Sequence, residues 1–178
     1  MENNIWFTYK ARIQAQSRLE YLDTHSQFLL VWYAILGVIL AIVSIRYPTI
    51  LNENTDIYAA ILSVALLVLS LVISNRDFRG RSIKMRENYI AMHKLYISSR
   101  DKLISKEKLI ADYFKLLSDV ENHKDIDDKI FRAKSKASLT SRMPTYFDNV
   151  HVLFFISSRL ISTIFLYAFP FLFLMVYK

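Results

Sequence analysis

Residues 57–74 hold no charged side chain for 18 consecutive positions, and Arg76, Arg79 and Arg81 follow at once. A helix rising about 1.5 Å per residue needs roughly 20 apolar residues to cross a hydrocarbon core of about 30 Å. A soluble helix of this length carries a polar face, and this one has none. An uncharged run that exits into arginines reads as a membrane span ending on the cytoplasmic side.

Two further runs fit the same solvent. Residues 28–45 form the first span, in which Ala34, Gly37, Ala41 and Ser44 recur at steps of three, four and three. Small residues in a stripe let spanning helices approach closely, because packing drives their association in lipid. In the second span Ala59, Ser63, Ser70 and Ser74 are similarly placed, so the stripe faces either that span or another subunit. Trp32 and Tyr33 near one end, with Tyr47 and Tyr58 near the other, suit an interfacial aromatic belt. The 46–56 connection contains Pro48 as a helix stop and is short enough for a transmembrane hairpin. Residues 152–177 return to apolar character, with Pro170 as a kink and Arg159 near the start. Arg159 either snorkels to the cytoplasmic interface or faces a pore or partner. A third span places Lys178 outside.

Charge distribution sets the orientation. The net charge is +7, but residues 75–150 hold 17 Lys/Arg against 11 Asp/Glu, whereas residues 47–56 hold two acids and no Lys/Arg. The basic side is the cytoplasmic one, so the N-terminus and residues 75–150 are expected there and the C-terminus in the periplasm of a bacterial inner-membrane protein.

The remaining segments are helical and polar. Residues 1–25 read as an amphipathic helix with Ile5, Tyr9, Ile13 and Gln16 at helical spacing, and with Lys10, Arg12 and Arg18 as cations of the polar face. Such a helix lies at the membrane interface, packs on a partner, or docks onto the soluble part of its own chain. From Ser82 to Val120, Tyr89, Tyr96, Leu103, Ile110 and Leu117 repeat every seven residues. Met85, Met92, Ser99, Lys106, Tyr113 and Val120 make a second seven-residue series with two polar interruptions. The pattern fits one long coiled-coil helix, or a helical pair folded back near 98–105. The stripe serves subunit or partner contact, or packs on the first helix and the segment that follows. In the acidic stretch 119–128, His123 beside Glu121, Asp119 and Asp127 is a poor metal set, because such sites need more ligands of matched geometry. Residues 129–142 are basic and serine-rich, suited to anionic lipid at about 1 kcal/mol per cation, with nucleic acid as the alternative.

With 0 Cys, disulfides, thiolate zinc and cysteine nucleophiles are excluded. Phosphate-cradling and hydrolytic motifs are also missing, so no enzymatic activity and no cofactor is expected. The fold class is an all-α membrane protein: a cytoplasmic helix (1–27), a transmembrane hairpin (28–74), a cytoplasmic helical region (75–150) and a C-terminal span (151–178).

Four stretches carry a family resemblance. They are Tyr9-Lys-Ala-Arg-Ile-Gln-Ala-Gln-Ser-Arg-Leu19; Ser26 with the first span; residues 61–70 with Asp77-Phe-Arg-Gly-Arg81 and Arg86-Glu-Asn-Tyr89; and Tyr113-Phe-Lys-Leu-Leu-Ser-Asp-Val-Glu-Asn-His123 with Asp125 and Asp127. In this order and spacing the chain resembles the SLATT family of bacterial two-transmembrane effectors. The last stretch resembles the subgroup linked to reverse transcriptases. The third span goes beyond the two-span pattern. The resemblance implies a homo-oligomeric effector of anti-phage defence that forms a pore or disrupts the membrane when a partner releases it. It implies a reverse transcriptase as first partner and a cyclic-nucleotide synthase as second. The alternative is a non-conducting scaffold that anchors such a machine. Ala34, Gly37, Ala41, Ser44, Ser63 and Ser70 are the expected span-packing or pore residues. Tyr89, Met92, Tyr96, Leu103, Glu121, Asn122, His123 and Asp125 are the expected oligomer or partner contacts. Arg76, Arg79, Arg81 and Arg159 are the membrane-flanking cations, with any nucleic acid reached through the partner or through residues 129–142.

Overall fold

A computed structural model of the chain describes residues 1–176, which form helices α1 (Glu2–Arg46), α2 (Thr55–Arg76), α3 (Phe78–Arg100), α4 (Lys106–Ser118), α5 (Asp125–Lys134) and α6 (Tyr146–Val176), with a 3₁₀ turn at Lys136–Ser138. They make two compact units: Met1–Tyr21 with Phe78–Ser157, and Leu22–Asp77 with residues from Ser158 onward. Three helices are long and apolar enough to cross a membrane, making this an all-α membrane protein.

In the first unit the start of α1 packs on the chain's own helices. Its buried side is Ile5, Thr8, Ala11, Arg12, Ala15 and Leu19, at the three- and four-residue steps of one helical face. Ile5 meets Met92, Leu95, Leu109 and Tyr113, while Ala15 and Leu19 close on Met85. Each fully enclosed Ile, Leu or Met contributes about 1.5–3 kcal/mol relative to exposure. Phe7 joins Phe131 and Leu139, and Ile126 and Ile130 of α5 join Val152 of α6.

The heptad region is a folded-back pair. α3 stops because Lys102 turns left-handed (φ 53°). The Leu103 N–H then donates to the Ser98 carbonyl at 2.9 Å and the Lys102 N–H to the Ser99 carbonyl at 3.3 Å. Those two bonds form a Schellman motif, here with lysine where glycine is usual. Ser105 restarts the helix, its hydroxyl accepting the Lys108 N–H at 3.3 Å. The polar interruptions Ser99 and Lys106 therefore flank a bend. The register also differs from the seven-residue series of tyrosines. The enclosed seam of α3 is Ser82, Met85, Asn88, Met92 and Leu95, with Tyr89 and Tyr96 half-buried on its flank.

α6 starts on a reciprocal cap: the Asp148 N–H donates to Thr145 Oγ1 at 3.1 Å and the Thr145 N–H to Asp148 Oδ2 at 3.0 Å. The Thr145 N–H foremost, with Arg132 beside it, holds the Asp148 carboxyl below its usual value.

In the second unit α1 ends two residues before Pro48, and Thr55 restarts the chain by accepting the Leu51 N–H at 3.0 Å. Pro170 sits inside α6 and has no N–H to offer the Leu166 carbonyl four residues back. The Tyr33 hydroxyl supplies that bond at 2.7 Å, and Trp32 Nε1 donates to the Tyr167 carbonyl at 3.3 Å. Both side chains are thus engaged with carbonyls around Pro170 of α6, a use that an aromatic belt does not describe. Within hydrocarbon an unbonded carbonyl has no water to turn to. Tyr33→Phe is expected to cost about 0.6–1.7 kcal/mol, the range of interhelical hydrogen bonds in membranes. It should read as a lower melting temperature in detergent micelles; an unchanged value would mean that the carbonyl needs no partner.

Candidate functional site

Two cations of α1 reach the corner between α4 and α5. Arg12 is fully enclosed. Its Nη1 donates to Asn88 Oδ1 and to the Leu116 carbonyl (2.9 Å), while Nη2 lies 3.5 Å from the Leu117 carbonyl. Carbonyls in the last turn of a helix lack an intrahelical donor and carry the negative end of its dipole, so a guanidinium fits there. Asn88 Nδ2 donates to the same Leu116 carbonyl at 2.8 Å. Burial pulls the Arg12 guanidinium below its usual value, partly offset by Tyr113 and Asp119. One turn earlier, Thr8 Oγ1 bonds the Tyr113 hydroxyl at 3.0 Å.

Arg18 grips the other side of the corner. Its Nε and Nη2 donate to the two carboxylate oxygens of Asp127 at 2.9 and 3.0 Å. Asp127, itself fully enclosed, also accepts the Lys124 N–H at 2.9 Å, and so stands as an acid in the first turn of α5. The periodicity of α1 places Arg12 and Arg18 on its polar face. They point inward because a helix end presents a polar target that one-dimensional periodicity does not register.

His123 lies in the same corner, half-buried. Its Nδ1 and the Arg12 Nε are enclosed without a hydrogen-bond partner among the described residues. Burial first, and the Arg12 charge second, push the His123 imidazole below 6.5, against an upward pull from Asp128 and Asp127. The neutral form is therefore favoured in the folded state. The unfolded chain takes a proton first, so stability contributed by His123 is full above about pH 6.5 and declines as pH falls through the lowered folded-state value. His123→Gln is expected to flatten the pH dependence of the unfolding free energy below about pH 6.5. An identical pH slope in both proteins would remove His123 as its source.

The other expected contacts divide. Met92 is enclosed by the unit's own helices and is no free contact. Tyr96 lines a cavity of about 190 Å³ with Asn3, Trp6, Phe7 and residues 138–141. Tyr89 lies 6.3 Å from Tyr9, ring to ring. Leu103 is exposed at the α3–α4 bend, and Asn122 is exposed beside His123. Glu121 and Arg81, expected at a partner and at the membrane flank, bond each other at 2.9 and 2.7 Å. Asp125 pairs with Lys129 at 2.6 Å. Arg79 is exposed, Arg76 ends α2, and Arg159 is half-buried in α6.

In the spans, a Cβ added to Gly37 would lie 4.0 Å from Leu62 Cδ2, so the glycine faces α2. Ala34 and Ser70 line a shallow apolar groove of about 380 Å³ with Leu30, Val31, Leu66 and Leu67. Ala41 is exposed. Ser44 and Ser63 donate to their own helix, to the Leu40 and Ala59 carbonyls at 2.7 and 2.9 Å. Asn88 was not anticipated as a site residue; a polar residue between Met85 and Met92 on one helical face was the available signal.

The architecture defines a class: a helical membrane protein whose non-spanning unit is latched by buried cations of its first helix. The stretches 9–19 and 113–127, far apart in sequence, are the two sides of that latch. The chain belongs to the SMODS and SLOG-associating 2TM effector domain family 5, a SLATT family, which it matches over residues 1–177. The third apolar helix falls inside the matched region although the family's description counts two spans. No curated protein and no solved structure matches the chain.

Proposed function

We propose that the chain is the membrane-permeabilising effector of a bacterial anti-phage system, held silent by a partner and homo-oligomeric when active. The observation that carries this reading is the match to an effector-domain family across a chain with three spanning-length apolar helices. The exposed apolar flanks of α1 and α2, such as Ile35, Val38, Ile42, Leu67 and Leu71, need lipid around them. The basic exit after α2 supports an inner-membrane orientation with residues 75–150 in the cytoplasm and the C-terminus in the periplasm.

The resemblance of residues 113–127 supports a reverse transcriptase as the first partner to test and a cyclic-nucleotide synthase as the second. The matched family's description, associating it with other domains, supports a separately supplied trigger. Direct nucleic-acid binding is less favoured. Within the 129–142 segment, Lys129 bonds Asp125, Arg132 bonds Asp128 and Asp148, Lys134 bonds Gln14, and Arg142 bonds Asn4.

The test is membrane potential in cells expressing the chain alone and then with its genomic neighbour. Depolarisation that the neighbour suppresses is the expected result. Gly37→Leu, which forces a larger side chain toward Leu62, is expected to abolish it while the protein still inserts. An unchanged potential in every state would leave the non-conducting scaffold.

A further inference from the structure

The first three turns of α6 carry an apolar face that no described residue of the first unit covers. Tyr146, Phe147, Val150, Leu153 and Phe154 fall within about a third of the helix circumference, taking 100° per residue. All five are exposed, Phe147 at 82% and Tyr146 at 78%. The opposite face is the docked one: Val152 packs on Ile126 and Ile130, and Asp148 bonds Arg132 at 3.0 Å. Lys129 adds a contact to His151 at 3.2 Å. A cluster of ionised side chains along these same turns places them outside the hydrocarbon, where such charges are costly. The start of this face, Tyr146, Phe147 and Val150, therefore stands in an aqueous or headgroup setting, and Leu153 and Phe154 carry it to the edge of the third span.

Its size and spacing indicate what covers it. The exposed parts of five side chains amount to roughly 600 Å², given that aromatic side chains alone carry about 150–250 Å² each. That is at the upper limit of the largest patch on an ordinary soluble monomer, about 300–600 Å², and near the roughly 800 Å² each partner contributes to a stable complex. Tyr146, Val150, Leu153 and Ser157 follow one another at steps of four, three and four, the seam of two helices packed side by side. Phe147 and Phe154 flank that seam seven residues apart. The face bears no charge, so it is complementary to itself; two copies inserted in one membrane run parallel and meet residue to like residue.

We propose that this face of α6 is a parallel homotypic interface, joining the chain to a second copy just outside the membrane. It deepens, and rests on, the oligomeric effector reading by naming where the copies meet.

The chain has no native cysteine, so single-cysteine variants of the full chain in native membranes test the proposal directly. Copper-phenanthroline oxidation should give disulfide-linked dimers for Val150→Cys and Leu153→Cys but not for Glu87→Cys, which is exposed on α3. Adding Phe147→Asp should abolish the Val150→Cys dimer while leaving Trp6 fluorescence unchanged, showing that the first unit remains folded. Two results would overturn the interface. One is absence of dimers with a bimane label at Val150→Cys quenched by brominated lipid, which assigns the face to lipid. The other is absence of dimers with rapid labelling by a membrane-impermeant maleimide, which leaves the face open to water. Membrane potential read in the same cells separates the two readings. Dimers without depolarisation keep the interface and remove the pore, whereas depolarisation without dimers does the reverse.

Discussion

Arg12→Ala is expected to cost the first unit about 3–5 kcal/mol. Truncation opens a cavity where a fully enclosed side chain stood, and it leaves Asn88 Oδ1 and the Leu117 carbonyl short of their donor. An opposing term exists: removing the guanidinium also removes the desolvation cost of a buried charge that forms no ion pair among the described residues, with Asp119 acting on it only at longer range. Arg12→Met separates the two, because it keeps most of the volume while discarding the charge. If packing dominates, the methionine variant should lie within about 1.5 kcal/mol of the parent. If the cation at the α4 C-terminus dominates, methionine forfeits a helix-end interaction that reaches about 2 kcal/mol only in buried geometries. Urea unfolding followed through Trp6 in a Trp32→Phe background reads this unit alone. An alanine variant within about 1 kcal/mol of the parent would sink the view of Arg12 as the latch.

Asp127→Ala is the second large effect, about 3–5 kcal/mol, because it strands a nearly enclosed Arg18. It also removes the carboxylate that accepts the Lys124 N–H at the start of α5. Asp127→Asn keeps that acceptor and should recover about 1 kcal/mol of the loss, the usual worth of such a cap. A double-mutant cycle with Arg18→Met isolates the pair, and its coupling should fall in the upper part of the 0.5–3 kcal/mol range seen for contacting residues. Arg81 and Glu121 supply the internal control. Their bidentate geometry is equally good, but their side chains are 33% and 42% exposed. Solvent screening limits that pair to about 0–1 kcal/mol. Equal coupling in the two pairs would mean that burial is not what makes Arg18–Asp127 strong.

If both effects hold, the first unit has a defined weak point. The latch joins stretches 9–19 and 113–127, so loosening it leaves the first helix held to α4 and α5 by the apolar contacts of Ile5 and Phe7.

Much of this organisation was legible without coordinates. A membrane span is a local property, since about 20 apolar residues must satisfy their own backbone hydrogen bonds as a helix whatever surrounds them. The three spanning helices, the hairpin stop at Pro48 and the all-α class follow from that constraint alone. Polar residues did not read out so directly. Arg12 and Asp148 are both charged positions in helical patterns, yet one enters a core and the other closes a helix start. What decides between those fates is the arrival of a complementary group from more than 100 residues away, as with Leu116 for Arg12, or from the next turn, as with Thr145 for Asp148. The heptad series allowed one long helix or two short ones, because the same apolar spacing serves an intermolecular seam and an intramolecular hairpin. Lys102 in a left-handed conformation, an unusual choice for that position, is what committed the chain to the hairpin. Sequence alone thus determined which segments leave water for lipid, a matter of summed hydrophobicity over each segment. Tertiary structure alone decided where the buried charges point and which faces remain uncovered, because both depend on partners that periodicity does not name.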